Sequence, residues 1–313
     1  MVRIGIDLGG TNIVAGVMDD HYQLLAKAKC KTNASRPARE IVTDMARMAR
    51  EAAEKAGVSM SEVAHVGVGS PGTCNAANGI VEYANNLGFN HVPIKAWLEE
   101  ELHIPVSIEN DANAAALGEA LAGAARGARS CVCITLGTGV GGGIILDGKV
   151  YSGFNYAGAE LGHMVIMVDG EDCTCGRQGC WEAYASATAL VRQTRRAMEA
   201  HPDSTMWKIA GSLDNVDGRT AFDGMRAGDE AASQVVENYV HYVACGLINV
   251  INIFQPEVLC IGGGICKEGE TLLKPIREYI FQERYSKFCE QQTRLCVAEL
   301  GNDAGVIGAA CLD

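Results

Sequence analysis

The 313-residue sequence predicts a mixed α/β protein built from two similar halves. Two observations lead to this prediction. A short apolar strand, a Gly/Thr-rich turn and a returning strand follow one another around residues 6–11 and again around residues 134–139. An aspartate also stands at matching places after the two returning strands, at Asp19 and Asp147. A coarse internal duplication of this kind indicates one α/β unit used twice, and the length suits two domains.

Hydrophobic patterning and turn residues place the elements along the chain. In the first half, the predicted elements are strands over 2–8, 12–18 and about 22–31, a helix over about 37–56 that Ser35 can cap, a strand over 63–69, a helix from Pro93 to about 102, a strand over 105–109 and an alanine-rich helix from Asn110-Asp111.

The second half repeats the strand pattern before it becomes helical. Its predicted elements are strands over 131–136 and 143–146 with a hairpin turn at Asp147-Gly148, a long helix over 229–254, strands over 258–261 and near 294–299, and a helix from Asp303. We therefore predict a smaller domain over 1–118 and a larger one over 119–300. A C-terminal helix over about 301–313 is expected to pack back on the smaller domain.

The composition excludes several classes of protein. Hydrophobic residues make up 48% of the chain and the net charge is −12, so no basic face for a nucleic acid is visible. No apolar run approaches the roughly 18 residues of a membrane-spanning helix, and Met1 leads directly into a predicted strand without a signal peptide. We expect a cytoplasmic protein with neither a nucleic acid nor a membrane as partner. In a reducing cytosol, clustered members of the 13 cysteines favour metal binding or catalysis over disulfides.

Glycine-rich turns follow three of the predicted strands. Backbone N–H groups at Gly9-Gly10-Thr11 and Gly137-Thr138-Gly139 can converge on an anion, because glycine has no Cβ in the way. The two turns could face each other across a cleft and hold a polyphosphate. Asp7, at the end of the first strand, could hold Mg²⁺ through water. Gly262-Gly263-Gly264 suits the close approach of a flat base or ribose, although glycines can also simply turn a chain.

Two common nucleotide motifs are absent or misleading. Gly137, Gly139 and Gly142 match the pattern G-x-G-x-x-G, but a dinucleotide site requires a helix next, and residues 144–148 resemble a hairpin instead. The phosphate-binding pattern that ends in Gly-Lys-Ser/Thr does not occur.

His163 is followed by Cys173, Cys175 and Cys180, a complete Cys₃His set for tetrahedral zinc. The spacing Cys-x-Cys-x₄-Cys is not the commoner paired form, so three unrelated cysteines beside a loop are the alternative. A closed four-ligand site leaves no position for substrate, and we therefore predict a structural zinc that fixes this loop and its neighbours Glu160 and Glu182.

Asp111 lies where a predicted strand enters a helix, at the carboxyl edge of a sheet, where ligands bind in α/β proteins. A carboxylate there can be a simple helix cap. As a general base it would instead accept the proton of a hydroxyl group that attacks a γ-phosphoryl group in line.

Taken in order, these motifs resemble the ROK family (repressors, open reading frames and kinases), and within it the bacterial glucokinases. The likeness covers essentially the whole chain, and the combination of His163 with the cysteine loop is highly specific. The segments that carry it are residues 7–11, 109–113, 136–143, 158–163, 173–182 and 261–264.

The resemblance implies an actin/hexokinase-like (ribonuclease H-like) duplicated two-domain fold with a cleft between the domains. It implies ATP and Mg²⁺ held through Asp7, Gly9, Gly10, Thr11, Asn12, Gly137, Thr138 and Gly139, with adenosine near Gly262, Gly263 and Gly264. It makes Asp111 the general base. The implied sugar ligands are Gly72, Asn86, Asn110, Asp111, Glu160, His163 and Glu182. Asn85 is a possible alternative to Asn86, and the zinc ligands are His163, Cys173, Cys175 and Cys180.

Phosphorylation of glucose to glucose 6-phosphate is the expected activity. Fructose, mannose, allose and N-acetylhexosamine are alternative acceptors, because all present similar hydroxyls. A ROK-type sugar-sensing repressor without its DNA-binding domain is a second hypothesis; the first strand begins at Val2, which leaves no room for a helix-turn-helix. A polypeptide-binding ATPase of the actin or chaperone type is a third, against which the cysteine loop and paired carboxylates argue. A homo-oligomer, most simply a dimer, is implied by the resemblance only.

Overall fold

A computed structural model describes residues 1–312 and divides the chain into two compact units. Unit 1 comprises Met1–Cys133, Gly143–Ala159 and the segment from Ala298 onwards, and unit 2 comprises Ile134–Gly142 and Glu160–Val297. The domain boundary near residue 118 stays a prediction, and residue 313 of the predicted C-terminal helix lies outside the described residues.

The first part of the chain forms eight strands and three α-helices. In order they are β1 (Val2–Leu8), β2 (Asn12–Met18), β3 (Leu24–Lys31), α1 (Ala38–Ala56), β4 (Val63–Ser70), β5 (Thr73–Asn75), β6 (Ile80–Ala84), β7 (Phe89–Val92), α2 (Ile94–Leu102), β8 (Val106–Asn110) and α3 (Asp111–Leu121).

The remaining elements are mostly helical. They are β9 (Cys131–Leu136), β10 (Val140–Leu146), β11 (Lys149–Val150), α4 (Glu182–Ala185), α5 (Ala187–Ala200), α6 (Met206–Ala210), α7 (Thr220–Arg226), α8 (Glu230–Phe254), β12 (Val258–Gly262), α9 (Glu270–Glu283), β13 (Arg294–Val297) and α10 (Ala304–Ala310).

Two five-stranded sheets have the same topology. Their strand orders are β3-β2-β1-β4-β8 and β11-β10-β9-β12-β13, so each begins with a meander and continues on the other side of its first strand. In the first sheet β1, β4 and β8 run parallel, with Asp7 opposite Gly69 and Gly69 opposite Glu109. The carboxyl ends of these strands therefore meet at one edge, and the internal duplication predicted from the turns is present.

The core of unit 1 forms where α1 and α10 pack on the first sheet. Ile41 and Met45 of α1 are fully buried. The backbone of α10 approaches the sheet closely, because a Cβ at Gly5 would lie 1.8 Å from the Val306 carbonyl oxygen and one at Gly67 would lie 1.7 Å from that of Ala309. These two glycines therefore allow α10 to pack directly on β1 and β4.

Several elements differ from the sequence predictions. The small sheet β5-β6-β7 was not predicted, because its strands are only three to five residues long and polar residues interrupt their alternation. Ser35 does not cap α1: Pro37 holds the N-cap position, with no side-chain cap bond. The strand β10 follows Gly139 directly, which confirms that the G-x-G-x-x-G match does not lead into a helix. Within the described residues, no helix combines the length and apolar character needed to cross a membrane.

Candidate active site

Asp111 is the first residue of α3, and the cap of that helix is its neighbour Asn110. The Asn110 side-chain oxygen accepts hydrogen bonds from the backbone N–H groups of Ala112 and Asn113, at 2.9 and 3.2 Å. Asp111 Oδ1 accepts one bond, from the Ala112 N–H at 2.8 Å. Because Asn110 does the capping, the alternative explanation of Asp111 as the N-cap is wrong.

Two carboxyl groups lie near each other at this edge of the sheet. Burial raises the pKa of the Asp7 carboxyl to about 6, and the nearby Asp111 carboxylate adds to the shift. Burial also raises the pKa of Asp111, against the opposing effect of the backbone N–H groups of Ala112 and Asp111 itself. Both carboxyl groups therefore hold protons more tightly than ordinary aspartates do, the property of a carboxylate that can serve as a base near neutral pH.

The first glycine turn, residues 9–12, is closed by its own backbone. The Gly9 N–H donates to the Asn12 carbonyl oxygen at 2.9 Å. Thr32, just after β3, secures the turn twice: its hydroxyl donates to the Gly9 carbonyl at 2.6 Å, and its N–H donates to the Thr11 carbonyl at 3.0 Å. The Thr11 side chain is left exposed.

Asn86 lies over this turn, whereas Asn85 does not. A Cβ at Gly10 would lie 3.6 Å from Asn86 Nδ2. The Asn85 side chain instead accepts a bond from the Tyr83 hydroxyl at 3.2 Å. Asn110 Nδ2 donates to the Gly72 carbonyl at 3.1 Å, so Gly72 also belongs to this group. The contacts favour Asn86 over Asn85 as the asparagine of the site.

Glu109 is a further residue of this site, to which the sequence motifs assigned no role. It is 5% exposed, and its carboxylate accepts bonds from the Asn110 N–H at 2.8 Å, the Asn113 side chain at 3.1 Å and the Ser152 hydroxyl at 2.7 Å. Glu109 therefore holds the start of α3 in place through its bonds to Asn110 and Asn113. The sequence signal that could have indicated this role is a carboxylate that follows the apolar positions of a buried strand.

The second glycine turn, residues 137–139, lies in unit 2. The Gly137 N–H donates to the Gly139 carbonyl at 3.0 Å. The Gly137 carbonyl accepts from the Ala187 N–H at 2.8 Å, and the Thr138 carbonyl accepts from the Thr188 hydroxyl at 2.8 Å. Thr138 itself is exposed.

Glu182 braces the same turn from α4. Its Oε2 accepts from the Val140 N–H at 2.9 Å, and a Cβ at Gly139 would lie 2.3 Å from that oxygen. Its Oε1 accepts a longer bond, 3.4 Å, from the Thr174 hydroxyl in the cysteine loop. A residue predicted to bind sugar thus also links the cysteine loop to the second turn.

The triple glycine at 262–264 lies beside the second turn. A Cβ at Gly263 would lie 2.1 Å from the Leu136 carbonyl oxygen, and its φ of 105° is one that glycine alone adopts readily. Gly264 has no neighbouring atom within 4 Å of a Cβ position and is exposed. Unit 2 therefore brings Gly262-Gly263-Gly264 to the end of β9, next to residues 137–139.

The four predicted metal ligands converge. The ligand atoms of His163, Cys173, Cys175 and Cys180 all lie within 4.8 Å of one another. His163 Nδ1 is 3.6 Å from the Cys173 sulfur, and the Cys175 and Cys180 sulfurs are 3.7 Å apart. Two thiolates on a tetrahedral zinc with Zn–S bonds of about 2.3 Å lie roughly 3.8 Å apart, so this donor set fits zinc.

His163 is shared between this cluster and a carboxylate. While Nδ1 faces Cys173, Nε2 lies 3.9 Å from a carboxylate oxygen of the exposed Glu160. The loop itself is tied to the core through Trp181, which is fully buried and donates from Nε1 to the Tyr242 carbonyl at 2.8 Å.

Comparison with known proteins identifies the family. Residues 3–313 match the sequence profile of the ROK family. The chain belongs to the ROK family. It is 36% identical over 310 residues to a glucokinase of Thermotoga maritima, with 99% of this chain and 96% of that protein covered.

Solved ROK structures share the fold. A glucokinase of Streptomyces griseus, crystallised with glucose and AMPPNP, aligns with a TM-score of 0.80 at 36% identity over 99% of this chain and 98% of that one. A ROK hexokinase of Thermus thermophilus aligns with a TM-score of 0.81 at 37% identity over 99% and 97% of the two chains. The predicted actin/hexokinase-like fold class is thereby confirmed for this ROK protein.

Proposed function

We propose that this ROK protein is an ATP-dependent hexose kinase that converts glucose to glucose 6-phosphate. The observation that carries the proposal is the Asp111 carboxylate, which is relieved of capping by Asn110 and has a raised pKa. The 36% identity to glucokinases over nearly the whole chain supports glucose as the acceptor. The other hexoses, the repressor hypothesis and the polypeptide-binding ATPase are not favoured.

In the proposed reaction, Asp111 accepts the proton of the sugar 6-hydroxyl as its oxygen attacks the γ-phosphorus of ATP. A bond forms between that oxygen and phosphorus, the bond to the β-phosphate oxygen breaks, and ADP leaves. Protonated Asp111 then releases its proton to solvent. A raised pKa favours this role, because a carboxylate with a higher pKa is a stronger base and accepts the proton more readily.

The phosphates would be held mainly by backbone N–H groups. We assign this role to Gly9, Gly10, Thr11 and Asn12 in unit 1 and to Gly137, Thr138 and Gly139 in unit 2. Asp7 would hold the Mg²⁺ of ATP, which neutralises phosphate charge. The exposed Gly263 and Gly264, with Gly262, would take the adenosine.

The sugar ligands are assigned by unit. In unit 1 they are Gly72, Asn86, Asn110 and Asp111, and in unit 2 they are Glu160, His163 and Glu182. His163, Cys173, Cys175 and Cys180 would hold a structural zinc, which fixes the histidine tautomer so that Nε2 is left toward the substrate. The reducing, cytosolic location stays a prediction. The homodimer stays a prediction.

A panel of hexoses tests this function. The purified chain is given ATP, Mg²⁺ and glucose, fructose, mannose, allose or N-acetylglucosamine, and ADP release is coupled to NADH oxidation. Glucose should give the highest kcat/KM. If ADP release is unchanged by every sugar, the kinase assignment fails; if another hexose exceeds glucose, the acceptor is wrong.

A further inference from the structure

A cavity in unit 2 is lined by none of the residues assigned above. It has a volume of about 280 Å³ and lies between α5 and α8, beside the start of the cysteine loop. Ligand pockets usually begin at about 300 Å³, so this cavity suits a small molecule. We propose that it binds a phosphorylated sugar, with the phosphate between Arg192 and Arg196. The choice of a sugar ester rests on the proposed function, whose product is one.

The charge of the cavity points to an anion. Arg192 and Arg196 are four residues apart on α5, so their side chains lie on the same face. Among the residues that line the cavity, Glu171 is the single acid, in a chain with net charge −12. Two guanidinium groups side by side match the oxygens of a phosphate, because each presents several N–H donors in one plane.

Glu171 shows where such an anion would lie. Its carboxylate accepts two bonds from Arg196, at 2.5 and 3.1 Å, and lies 3.6 Å from Arg192 Nε. That distance is too long for a hydrogen bond, and Arg192 Nε is buried without any partner. A buried donor without an acceptor is costly. A phosphate, with more oxygens than a carboxylate, could bond both arginines at once.

The Glu171 carboxylate can move away from Arg192 and Arg196 without unfolding the start of the cysteine loop. The Glu171 main chain is held separately, because its N–H donates to the Tyr184 hydroxyl at 2.7 Å and its carbonyl accepts from the Gly179 N–H at 2.8 Å. Arg192 is also fixed, since it donates to the Ala183 carbonyl at the same time. Arg192 is therefore preorganised, whereas Arg196 would exchange its Glu171 partner for the phosphate.

The rest of the cavity suits a sugar. The rings of Tyr184 and Tyr242 lie 4.8 Å apart at 51° and form an aromatic wall, on which the C–H faces of a sugar could pack. Asn238 and Gln234 add amide groups for hydroxyls. An ester of a hexose therefore fits this lining better than free phosphate does.

Isothermal titration calorimetry of the full chain with glucose 6-phosphate tests the site. Titrations with and without saturating glucose and a non-hydrolysable ATP analogue separate this cavity from the proposed active site. We expect one equivalent to bind even when both substrates are saturating. Arg196→Gln should weaken that binding about tenfold or more, since a charged hydrogen bond contributes about 1.5–3 kcal/mol. Arg219→Gln, which removes an exposed arginine of the same unit, is the matched control.

Glu171→Gln provides a test of opposite sign. Removal of the internal carboxylate should strengthen ester binding severalfold, whereas a variant that only disturbs the fold would weaken it. Absence of binding to the saturated protein, or equal affinity in Arg196→Gln and Arg219→Gln, would overturn the site. Inorganic phosphate that binds as tightly as the ester would overturn the sugar assignment. Ester binding in a chain that phosphorylates no hexose would refute the kinase function alone.

Discussion

The two glycine turns occupy the same place in two sheets of the same strand order, yet different parts of the chain hold them. The first turn is secured from its own sheet, by Thr32 at the end of β3. The second is secured from helices that follow the cysteine loop, by Glu182, Ala187 and Thr188. The duplication thus supplies the turn twice, while the residues that fix it are specific to each unit.

The surroundings of the turns differ in a second respect. Next to the first turn, burial raises the pKa of both Asp7 and Asp111. Next to the second turn, the loop of the Cys₃His cluster is connected to the turn through the side chains of Thr174 and Glu182. Unit 1 therefore carries the acid–base chemistry we propose, and unit 2 carries the structural zinc site we propose, so variants in the two units should fail in different ways.

The largest effect is expected from Asp111→Asn. Loss of a general base typically lowers kcat by about 10²–10⁴-fold, and the fold should be retained because Asn110 still caps α3. In the unaltered protein, log kcat should fall with unit slope as the pH drops through the raised pKa of Asp111, because the protonated base is inactive. The exposed Asp203→Asn is the matched control. Turnover of Asp111→Asn within tenfold of the control would exclude the base assignment.

Asp7→Asn should be more stable yet less active. The pKa of Asp7 is raised in the fold from 3.8 to about 6. The folded state therefore binds more protons than the unfolded state between these values, and stability is lost as the pH rises from about 4 to 6. Above pH 6 the ionised carboxylate costs on the order of 3 kcal/mol.

Urea unfolding without nucleotide measures the Asp7 effect. Asp7→Asn should raise the free energy of unfolding by about 1–3 kcal/mol at pH 8 and by almost nothing at pH 4. The same variant should raise the ATP KM if Asp7 holds the nucleotide's Mg²⁺. An equal gain at both pH values would show that the change is one of packing rather than of charge.

The sequence predicted nine of the ten strands of the two large sheets, because most of their apolar runs end at turn residues; β11 is only two residues long and was indicated only by the hairpin turn before it. It also predicted that the candidate metal ligands converge, since Cys173, Cys175 and Cys180 are close in the chain and a short loop brings them together. The hydrogen bond that the Val140 N–H donates to the Glu182 carboxylate was not predictable in this way. It joins residues 42 positions apart and depends on how α4 packs, which no local pattern encodes.

The roles of the adjacent residues Asn110 and Asp111 were also not predictable from the sequence. Sequence alone could not say which of the two caps α3, because both residue types do so readily. The geometry at the helix start decides it, and Glu109 contributes to that geometry through Ser152, 43 residues away.

Cys175→Ser tests whether the metal loop supports only the second turn. Loss of a thiolate ligand should lower zinc affinity by at least about tenfold, measured by native mass spectrometry under competition with a chelator. Cys289→Ser, an exposed thiol outside the cluster, is the control. Hydrogen exchange should quicken at the Val140 amide, which Glu182 holds, and stay unchanged at Gly9. Equal acceleration at both amides would contradict the separate bracing of the two turns.

The smallest effects come from Thr32→Val and Thr188→Val, which each remove one hydroxyl from a turn. Thr32 is fully buried and bonds at 2.6 Å, whereas Thr188 is exposed. We expect Thr32→Val to lower the free energy of unfolding by about 1–2 kcal/mol and Thr188→Val by about 0.5 kcal/mol, because an exposed bond can be replaced by water. Each should raise the ATP KM a fewfold. Chelation of zinc should increase the ratio of the ATP KM of Thr188→Val to that of the wild type. It should leave the corresponding KM ratio of Thr32→Val unchanged. If both ratios respond alike, the two turns share a common support.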